Sequence, residues 1–412
     1  MTPIGRRAAA VAAAAVLGLA GCAGGGPTAI AGGPVTIEFA TQGLGQEGDA
    51  TNRAIAAFER AEPQVHVNVL TLSPLADVAY RQLTDRLSQD GPTPDVLTLD
   101  VIWPAALARA GWIAPLDRFH PDATEFFPAQ VQAGTYRGHL YAVPWFINAE
   151  GLYYRRDLVP VPPASPDELV AAAQAAMRAD PSITSGLAFE GAGYEGVVTA
   201  FIDFAGGLDL RHVNSPQNVR ALTTMRDAIA RDGISPPDVT HWDESYVQDA
   251  YLSGHAAFAL NWPYLFALAQ APGSPVEGRT AWIPFPSASG TPRAALGGDM
   301  LGVNARSTHQ DAAWRFVRYL LRNDVQVDRA VTAGDPPAVR SAYGQRLFDL
   351  APYYRDEQPV LGAATSRPVD PHYVQVSAVL QARLGAALAG QVAPAAALSA
   401  AQYEIAAILR SG

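Results

Sequence analysis

The stretch VTIEFATQGLGQEGDATNRAIAAFERAEPQVHVNV, residues 35–69, carries the pattern that decides the fold. Apolar residues alternate in VTIEF (35–39) and in VHVNV (65–69), which predicts two strands. The segment Asp49–Arg60 between them has its apolar residues on one face and ends before a proline, which predicts a helix. Strand, helix and strand at this spacing form the repeating unit of an α/β protein.

The pattern continues with a predicted helix over Leu75–Leu87 and a predicted strand, DVLTL, over 95–99. Three strands separated by two helices indicate a parallel sheet. Ligands of such sheets bind beyond the carboxyl ends of the strands. The loop 41–49 and Asp100 therefore become candidate ligand-binding positions.

The rest of the chain is richer in helix. Helical spacing or helix-start signals predict three further helices and a last one with Pro394 in its first turn. A short apolar run predicts a strand before the segment NWPY. These elements are predicted at Asp167–Ala179, Asn218–Arg231 and Asp311–Leu321 for the helices and at Ala256–Leu260 for the strand.

Charge and composition exclude several classes of function. The chain of 412 residues has a formal net charge of −10, and every fixed positive charge is an arginine because the sequence contains no lysine. A chain without a basic patch is not expected to bind nucleic acid. The absence of lysine also excludes a Walker A loop and a Schiff-base enzyme.

The N-terminal residues predict a lipoprotein signal. Arg6 and Arg7 precede an apolar run, Ala8–Ala20, that is too short to span a bilayer. Cys22 follows Leu-Ala-Gly and is the only cysteine, which favours lipidation over the alternative of an ordinary buried cysteine. We expect residues 1–21 to be a signal peptide, 22–34 a flexible tether, and the protein to be extracytoplasmic and anchored to the cell membrane.

The loop GLGQEG (43–48) admits three interpretations. It matches the G-x-G-x-x-G pattern of a dinucleotide-binding turn, but Glu47 would place a carboxylate where a pyrophosphate should sit. It could also be a plain flexible turn. The third interpretation is a ligand-binding loop that presents Gln46 and Glu47 at the start of a helix.

Signals for catalysis and for metal binding are weak. No two of the eight histidines have metal-ligand spacing, so we expect no metal and no cofactor. Glu190 and Glu195 flank a glycine-rich segment, and a carboxylate pair could hydrolyse glycosides if the two groups faced each other. A glycine-rich loop with one acid facing a ligand is the preferred interpretation.

Planar polar groups lie next to aromatic residues at the predicted strand ends. Carboxylates and amides bind neighbouring hydroxyls, and aromatic faces cover the C–H faces of sugar rings. The pattern therefore favours a sugar site, although each aromatic residue could instead belong to the core. The pairs are Asp100 with Trp103, Asn148 with Trp145, Glu195 with Tyr194, and Asn261 with Trp262 and Tyr264.

A series of motifs in this order resembles family 1 of the extracellular solute-binding proteins of ABC sugar importers. Within that family the chain is most similar to the trehalose/maltose-binding branch, which includes mycobacterial trehalose-recycling lipoproteins. The motifs are DVLTLDVIW (95–103), GWIAPL (111–116), GHLYAVP (138–144), LYYRRDL (152–158), NWPY (261–264), GG (297–298), PPAVR (336–340) and RP (367–368).

The resemblance implies an α/β fold of the two-lobed periplasmic-binding-protein type II class, with hinge strands and a central ligand cleft. It implies an N-terminal lobe of residues 35–146 and 299–345 and a C-terminal lobe of 147–298 and 346–412. It also implies a monomer that captures a mono-, di- or short oligosaccharide and delivers it to the transmembrane subunits of an ABC permease.

The resemblance further implies how individual residues bind the ligand. Carboxylates and amides would hold hydroxyls, two aromatics would form a stacking wall, and a glycine would offer backbone. The implied ligand-binding residues are Glu47, Asp100, Asn148, Trp262, Tyr264, Gly298 and Arg367. Gln46 and Glu195 are added to them from the loop and the glycine-rich segment described above. Asp299 and Phe146 depart from the family pattern, which has a tryptophan and a tyrosine there.

Two other classes of function stay open on the sequence alone. One is a secreted carbohydrate-active enzyme, such as a glycoside hydrolase, and the other is an adhesion or sensor lipoprotein outside transport. Binding without turnover would distinguish the solute-binding protein from both. The sequence does not identify the sugar, its linkage or its permease.

Overall fold

Residues 33–42, 46–362 and 364–410 are described by the structure, which is a computed structural model. The predicted signal peptide, Cys22 and nearly all of the predicted tether lie outside the described residues. The glycines of the loop 43–45 also lie outside them. Of Gln46 only the backbone is described.

Short strands occur along most of the chain. They are β1 (Val35–Thr41), β2 (Val65–Thr71), β3 (Val96–Asp100), β4 (Thr135–Tyr136), β5 (His139–Leu140), β6 (Ala142–Pro144), β7 (Asn148–Ala149), β8 (Gly151–Arg155), β9 (Ser185–Ala188), β10 (Ala256–Asn261), β11 (Thr280–Ile283), β12 (Ala294–Gly297), β13 (Asp299–Val303) and β14 (Ala364–Thr365).

Helices connect and cover these strands. They are α1 (Gln46–Ala61), α2 (Ala76–Leu87), α3 (Pro104–Arg109), α4 (Pro128–Gly134), α5 (Pro166–Ala179), α6 (Glu195–Ala205), α7 (Pro216–Ala230), α8 (Glu244–Leu252), α9 (Tyr264–Ala269), α10 (Gln310–Leu320), α11 (Asn323–Ala333), α12 (Gln345–Leu350), α13 (Tyr354–Gly362), α14 (Tyr373–Leu388) and α15 (Pro394–Arg410).

The strands and helices predicted from the sequence are confirmed, with shifts of a few residues at their ends. Local signals account for several boundaries. The Ser165 side chain accepts a hydrogen bond from the Glu168 backbone at the start of α5, and Pro166 and Pro394 begin their helices. Gly206 ends α6 with a φ of 80°, a conformation that favours glycine.

The first large sheet has the strand order β2-β1-β3-β13-β6. β1 pairs in parallel with β2 and β3, as the alternating pattern of the opening segment predicts. β13 returns from much later in the chain and inserts antiparallel between β3 and β6. This insertion brings Asp299 to the sheet edge where β3 ends at Asp100.

A second sheet has the order β11-β8-β10-β9, and a small sheet of order β14-β12-β7 contains the chain segments that lead from one large sheet to the other. Each large sheet has its own apolar core. Phe39, Phe58 and Phe316 centre one core, and Phe201, Phe204 and Phe258 belong to another. The architecture is the α/β fold expected from the sequence.

The C-terminal helices pack against different parts of this framework. α14 contacts α6 and α7, and α15 contacts α7 and α14. Leu347 of α12 and Tyr354 of α13 share a core cluster with Val327 of α11. The lobe boundaries proposed from the sequence stay a prediction. Within the described ranges, none of the helices has both the length and the apolar character needed to cross a membrane.

Candidate functional site

A cavity of about 630 Å³ collects side chains from both large sheets. This volume lies within the range of small-molecule binding sites. Apart from Gln46, whose side chain is not described, every ligand-binding residue expected from the sequence lines it. These residues are Glu47, Asp100, Asn148, Glu195, Trp262, Tyr264, Gly298 and Arg367.

Two acids reach the cavity from the first sheet. Asp100 is the last residue of β3, and one of its carboxylate oxygens accepts a hydrogen bond from the Ile102 backbone at 3.1 Å. Glu47 lies in the first turn of α1, where the helix dipole favours a negative charge. Both follow a strand of the parallel sheet, so the topology explains why they meet.

Arg367 joins this edge to the second sheet. Its Nη2 donates to Asp100 at 2.6 Å, and its Nη1 donates to Glu195, at the start of α6, at 2.8 Å. Its Nε donates to the Leu296 carbonyl at 3.1 Å. Because every guanidinium nitrogen donates to the protein and the residue is 4% exposed, Arg367 positions the two acids and offers a ligand little free surface.

Glu195 is held by three donors. Besides Arg367, Tyr373 donates to Oε1 at 3.0 Å, and the Ser377 hydroxyl donates to Oε2. Burial raises the pKa of Glu195, while Arg367 and Ser377 lower it. Burial lowers the pKa of the Arg367 guanidinium, but Asp100 and Glu195 outweigh it, so that pKa lies above its ordinary value.

One wall of the cavity consists of the Trp262 ring and a pair of glycines. A Cβ on Gly297 would lie 2.5 Å from Cζ3 of Trp262, so the indole packs directly against the backbone there. Gly298 has a φ of 94°, and a Cβ there would lie 2.4 Å from the Phe146 carbonyl oxygen. The paired glycines thus allow an aromatic ring and the crossing strand to approach closely.

Two polar groups complete this wall. Asn148 lies on β7, opposite Gly297, and its Oδ1 is buried without a hydrogen-bond partner within the described ranges. Tyr264 begins α9, and burial, followed by the charge of Glu244, raises the pKa of its hydroxyl. The hydroxyl is therefore neutral and can donate, while the amide oxygen can accept.

Some aromatic residues next to polar groups do not reach the cavity. Trp103 is 2% exposed and packs in an apolar cluster with Leu99, 5.5 Å from the Tyr80 ring. Trp145 is also 2% exposed and lies under the Arg329 guanidinium, 4.1 Å from its Cζ. The core interpretation is the right one for both tryptophans.

Glu190 is fully buried and does not line the cavity, so it does not face a ligand opposite Glu195. The carboxylate pair considered for glycoside hydrolysis is therefore not presented to the cavity. Within the part of the chain that the structure describes, there is also no group of three or more His, Cys, Asp or Glu residues that could hold a metal ion.

Several acids of the site were not among the binding residues expected from the sequence. Asp243 and Glu244 line the cavity from the start of α8, and Asp243 caps that helix through the backbones of Ser245 and Tyr246. An Asp directly before a helix was the available signal. Asp299, considered only as a departure from the family pattern, lines the cavity too.

Asp299 is electrostatically unusual. It lies directly opposite Asp100 in the register of β13 and β3. Burial, together with the charges of Asp100 and Glu47, raises the pKa of the Asp299 carboxyl well above its ordinary value. The carboxyl therefore holds a proton in conditions where an exposed aspartate would be ionised.

Comparison with known proteins supports the architecture. Residues 42–327 match the family model described as bacterial extracellular solute-binding protein. A probable ABC transporter-binding protein from Deinococcus radiodurans is 30% identical over 403 residues, covering 92% of this chain and 94% of that protein. A maltotriose-binding protein from Pyrococcus abyssi is 24% identical over 57% of this chain and 52% of its own length.

Solved structures of solute-binding proteins have a similar fold. Maltose-bound MalE3 of T. maritima has a TM-score of 0.84 and 30% identity, over 90% of this chain and 98% of that one. A solute-binding protein from Thermotoga lettingae bound with α-D-tagatose has a TM-score of 0.81 and 23% identity, over 92% and 100% of the two chains. The second likeness supports the fold alone. The chain belongs to the bacterial extracellular solute-binding proteins, a family that binds its solutes without catalysing a reaction.

Proposed function

We propose that this protein binds a mono-, di- or short oligosaccharide of the trehalose or maltose type for an ABC importer. The observation that carries the proposal is a cavity that carboxylates, amides and aromatic side chains line together. Carboxylates of Glu47 and Asp100 suit sugar hydroxyls, and Trp262 suits the C–H face of a ring. Relatives named for maltose and maltotriose point to the same ligand class.

The proposed residue roles follow the sequence expectation, with one change. Glu47, Asp100, Asn148 and Glu195 would bind hydroxyls, Trp262 and Tyr264 would form the wall, Gly298 would offer backbone, and Gln46 would join them from the start of α1. Arg367 would act mainly by orienting Asp100 and Glu195, because its nitrogens already donate to the protein.

Closure of two lobes about the crossing segments would capture the sugar. The proposed lobes are 35–146 with 299–345 and 147–298 with 346–412, with hinges near 143–151, 298–303 and 341–348. Periplasmic binding proteins as a class close about hinges in this way when they enclose a ligand. A sugar favours the closed form only through its higher affinity for that form.

The proposed location is the outer face of the cell membrane. A lipid on Cys22 and the tether up to residue 34 would keep a monomeric receptor near its permease, which raises the effective concentration of that partner. Mass spectrometry of the membrane fraction would detect the acylated N-terminal peptide. A Cys22→Ala variant recovered in the same membrane fraction would contradict the anchor.

A thermal-shift screen tests the function. The protein is made without residues 1–22 and is heated with maltose, trehalose, maltotriose and a panel of monosaccharides. Calorimetry then measures the affinity for each sugar that raises the Tm. We expect a concentration-dependent rise in Tm with at least one sugar and an unchanged sugar after incubation. No shift with any sugar, or the appearance of hydrolysis products, would contradict the proposal.

A further inference from the structure

Acidic side chains outnumber basic ones by a large margin along the cavity. Among the described residues, six carboxylate side chains line it, and one lining side chain, Arg367, is positively charged. A neutral sugar needs hydrogen-bond acceptors, but it does not need this imbalance of charge. The six acids are Glu47, Asp100, Glu195, Asp243, Glu244 and Asp299.

Four of these acids have partners in the protein. Arg367 pairs with Asp100 and Glu195 at 2.6 and 2.8 Å. Asp243 accepts from two backbone N–H groups at 3.0 and 3.2 Å. Burial raises the pKa of the Glu244 carboxyl, and the nearby side chains of Tyr194 and Trp262 lower it.

Glu47 and Asp299 are different. Neither carboxylate takes part in a hydrogen bond or an ion pair to any residue that the structure describes. Asp299 stands directly opposite Asp100 across two adjacent strands, a position where two like charges are unfavourable. Among the residues that the structure describes, the two acids therefore have no cation paired with them.

The nearby arginine, Arg329, supplies that positive charge only in part. Arg329 and Asp335 also act on Asp299, but Arg329 is committed elsewhere. It pairs with Asp335 at 2.7 Å, donates to Thr51 at 3.1 Å and stacks on the Trp145 ring. Asp335 adds a further negative charge to the surroundings of Asp299, as Glu47 does.

We infer that the preferred ligand is a sugar that carries a protonated amine, which binds beside Asp299 and Glu47. The inference rests on the proposed function and names the substrate class of the same cavity. An ammonium group supplies the missing charge and donates hydrogen bonds to carboxylates. A neutral sugar brings no positive charge to Asp299 and Glu47, and a sugar phosphate or uronate adds a further negative charge beside them.

Proton release gives the inference a second signature. The raised pKa of Asp299 keeps a proton on this carboxyl in the empty cavity, with Asp100, Glu47 and Asp335 raising it and Arg329 lowering it. An ammonium placed beside it favours the ionised form, so binding expels the proton. A neutral sugar gives no such release.

Calorimetry with matched ligands tests this. The probes are maltose and trehalose, their monoamino-deoxy derivatives, and the N-acetylated form of each amine, which keeps the nitrogen but removes the charge. At pH 6, where the amines are protonated, we expect at least one amine to bind tenfold or more tightly than its N-acetylated form and its parent. Two buffers of different ionisation enthalpy should report release of a proton for that amine.

Variants connect the preference to the site. Asp299→Asn should reduce the amine-to-acetyl affinity ratio to below threefold and abolish proton release, and Glu47→Gln should reduce the ratio independently. Asp85→Asn, an exposed acid of α2, should leave the ratio unchanged. A parent sugar that binds as tightly as every amine derivative would overturn the inference and leave the proposed function standing. Failure of every sugar to bind would overturn both.

Discussion

The indole of Trp262 rests on the backbone of Gly297, where an added Cβ would come within 2.5 Å of ring atom Cζ3. The contact fixes the ring against the strand that crosses toward Asp299. Because the nearest atoms all belong to the ring, a larger residue at 297 must displace the indole rather than the backbone.

Gly297→Ala should therefore weaken ligand binding tenfold or more while leaving the fold intact. The expected cause is a shifted stacking wall. Calorimetry with the sugar found by the screen measures the loss, and circular dichroism measures the fold. Gly385→Ala, on α14 away from the cavity and with open space around it, is a control for general effects of an added methyl group. Unchanged affinity in Gly297→Ala would place the ring outside the ligand contact.

Asp100→Ala and Trp262→Ala should each weaken sugar binding at least tenfold. Loss of a polar anchor costs about 1–3 kcal/mol, and the lost aromatic face removes apolar contact with the ring. Trp103→Phe, a change in the core behind Asp100, should lower stability but affect affinity little. Wild-type affinity in both alanine variants would refute the assignment of this cavity as the sugar site.

The sequence predicts the strands, the helices and most of the cavity, since these follow from alternation, helix spacing and parallel topology. Asp100 and Glu47 could be placed because both follow strands of one sheet. The position of Asp299 directly opposite Asp100 could not be predicted. It depends on the pairing of β3 with β13, which lies about two hundred residues later in the chain, and on the register of that pairing. Trp103 and Trp145 show another limit of the sequence. An aromatic residue next to a polar one in the chain can point either into the core or into the cavity, and the sequence does not tell which.

Arg367→Met should destabilise the protein strongly. It leaves Asp100 and Glu195 without their shared cation, and breaking a buried ion pair from one side costs about 3–5 kcal/mol. Urea unfolding measures the loss. Arg367→Met combined with Glu195→Gln should recover part of it, because one uncompensated acid is removed. If the stability losses of the two single variants simply add in the double variant, Arg367 does not stabilise the protein by balancing the charge of Glu195.

The buried acids Glu150, Glu190 and Asp203 should make stability fall as the pH rises. All are fully buried, and burial is the main cause that raises the pKa of each carboxyl. The charge of Glu150 adds to this effect on Glu190 and Asp203, whose pKa values lie well above the ordinary ones, whereas hydrogen bonds from Glu190 and Asp203 limit the rise at Glu150. The unfolded chain ionises these groups from about pH 4 upward, whereas the folded protein keeps them protonated. The folded state then binds more protons, so the free energy of unfolding decreases above that pH until the folded-state pKa values are passed.

Urea unfolding of the wild type and of Glu190→Gln between pH 5 and pH 9 measures this dependence. The amide cannot ionise, so the variant should lose less stability than the wild type over that range. The difference should be about 1.4 kcal/mol for each pH unit of the range that lies between the ordinary pKa of a glutamate and the folded-state pKa of Glu190. The other group that faces Glu190, Glu244, also has a pKa raised by burial and contributes in the same direction. Asp85→Asn, at an exposed position on α2, should keep the wild-type slope. If Glu190→Gln also keeps that slope, Glu190 is already ionised in the folded protein, which contradicts this prediction.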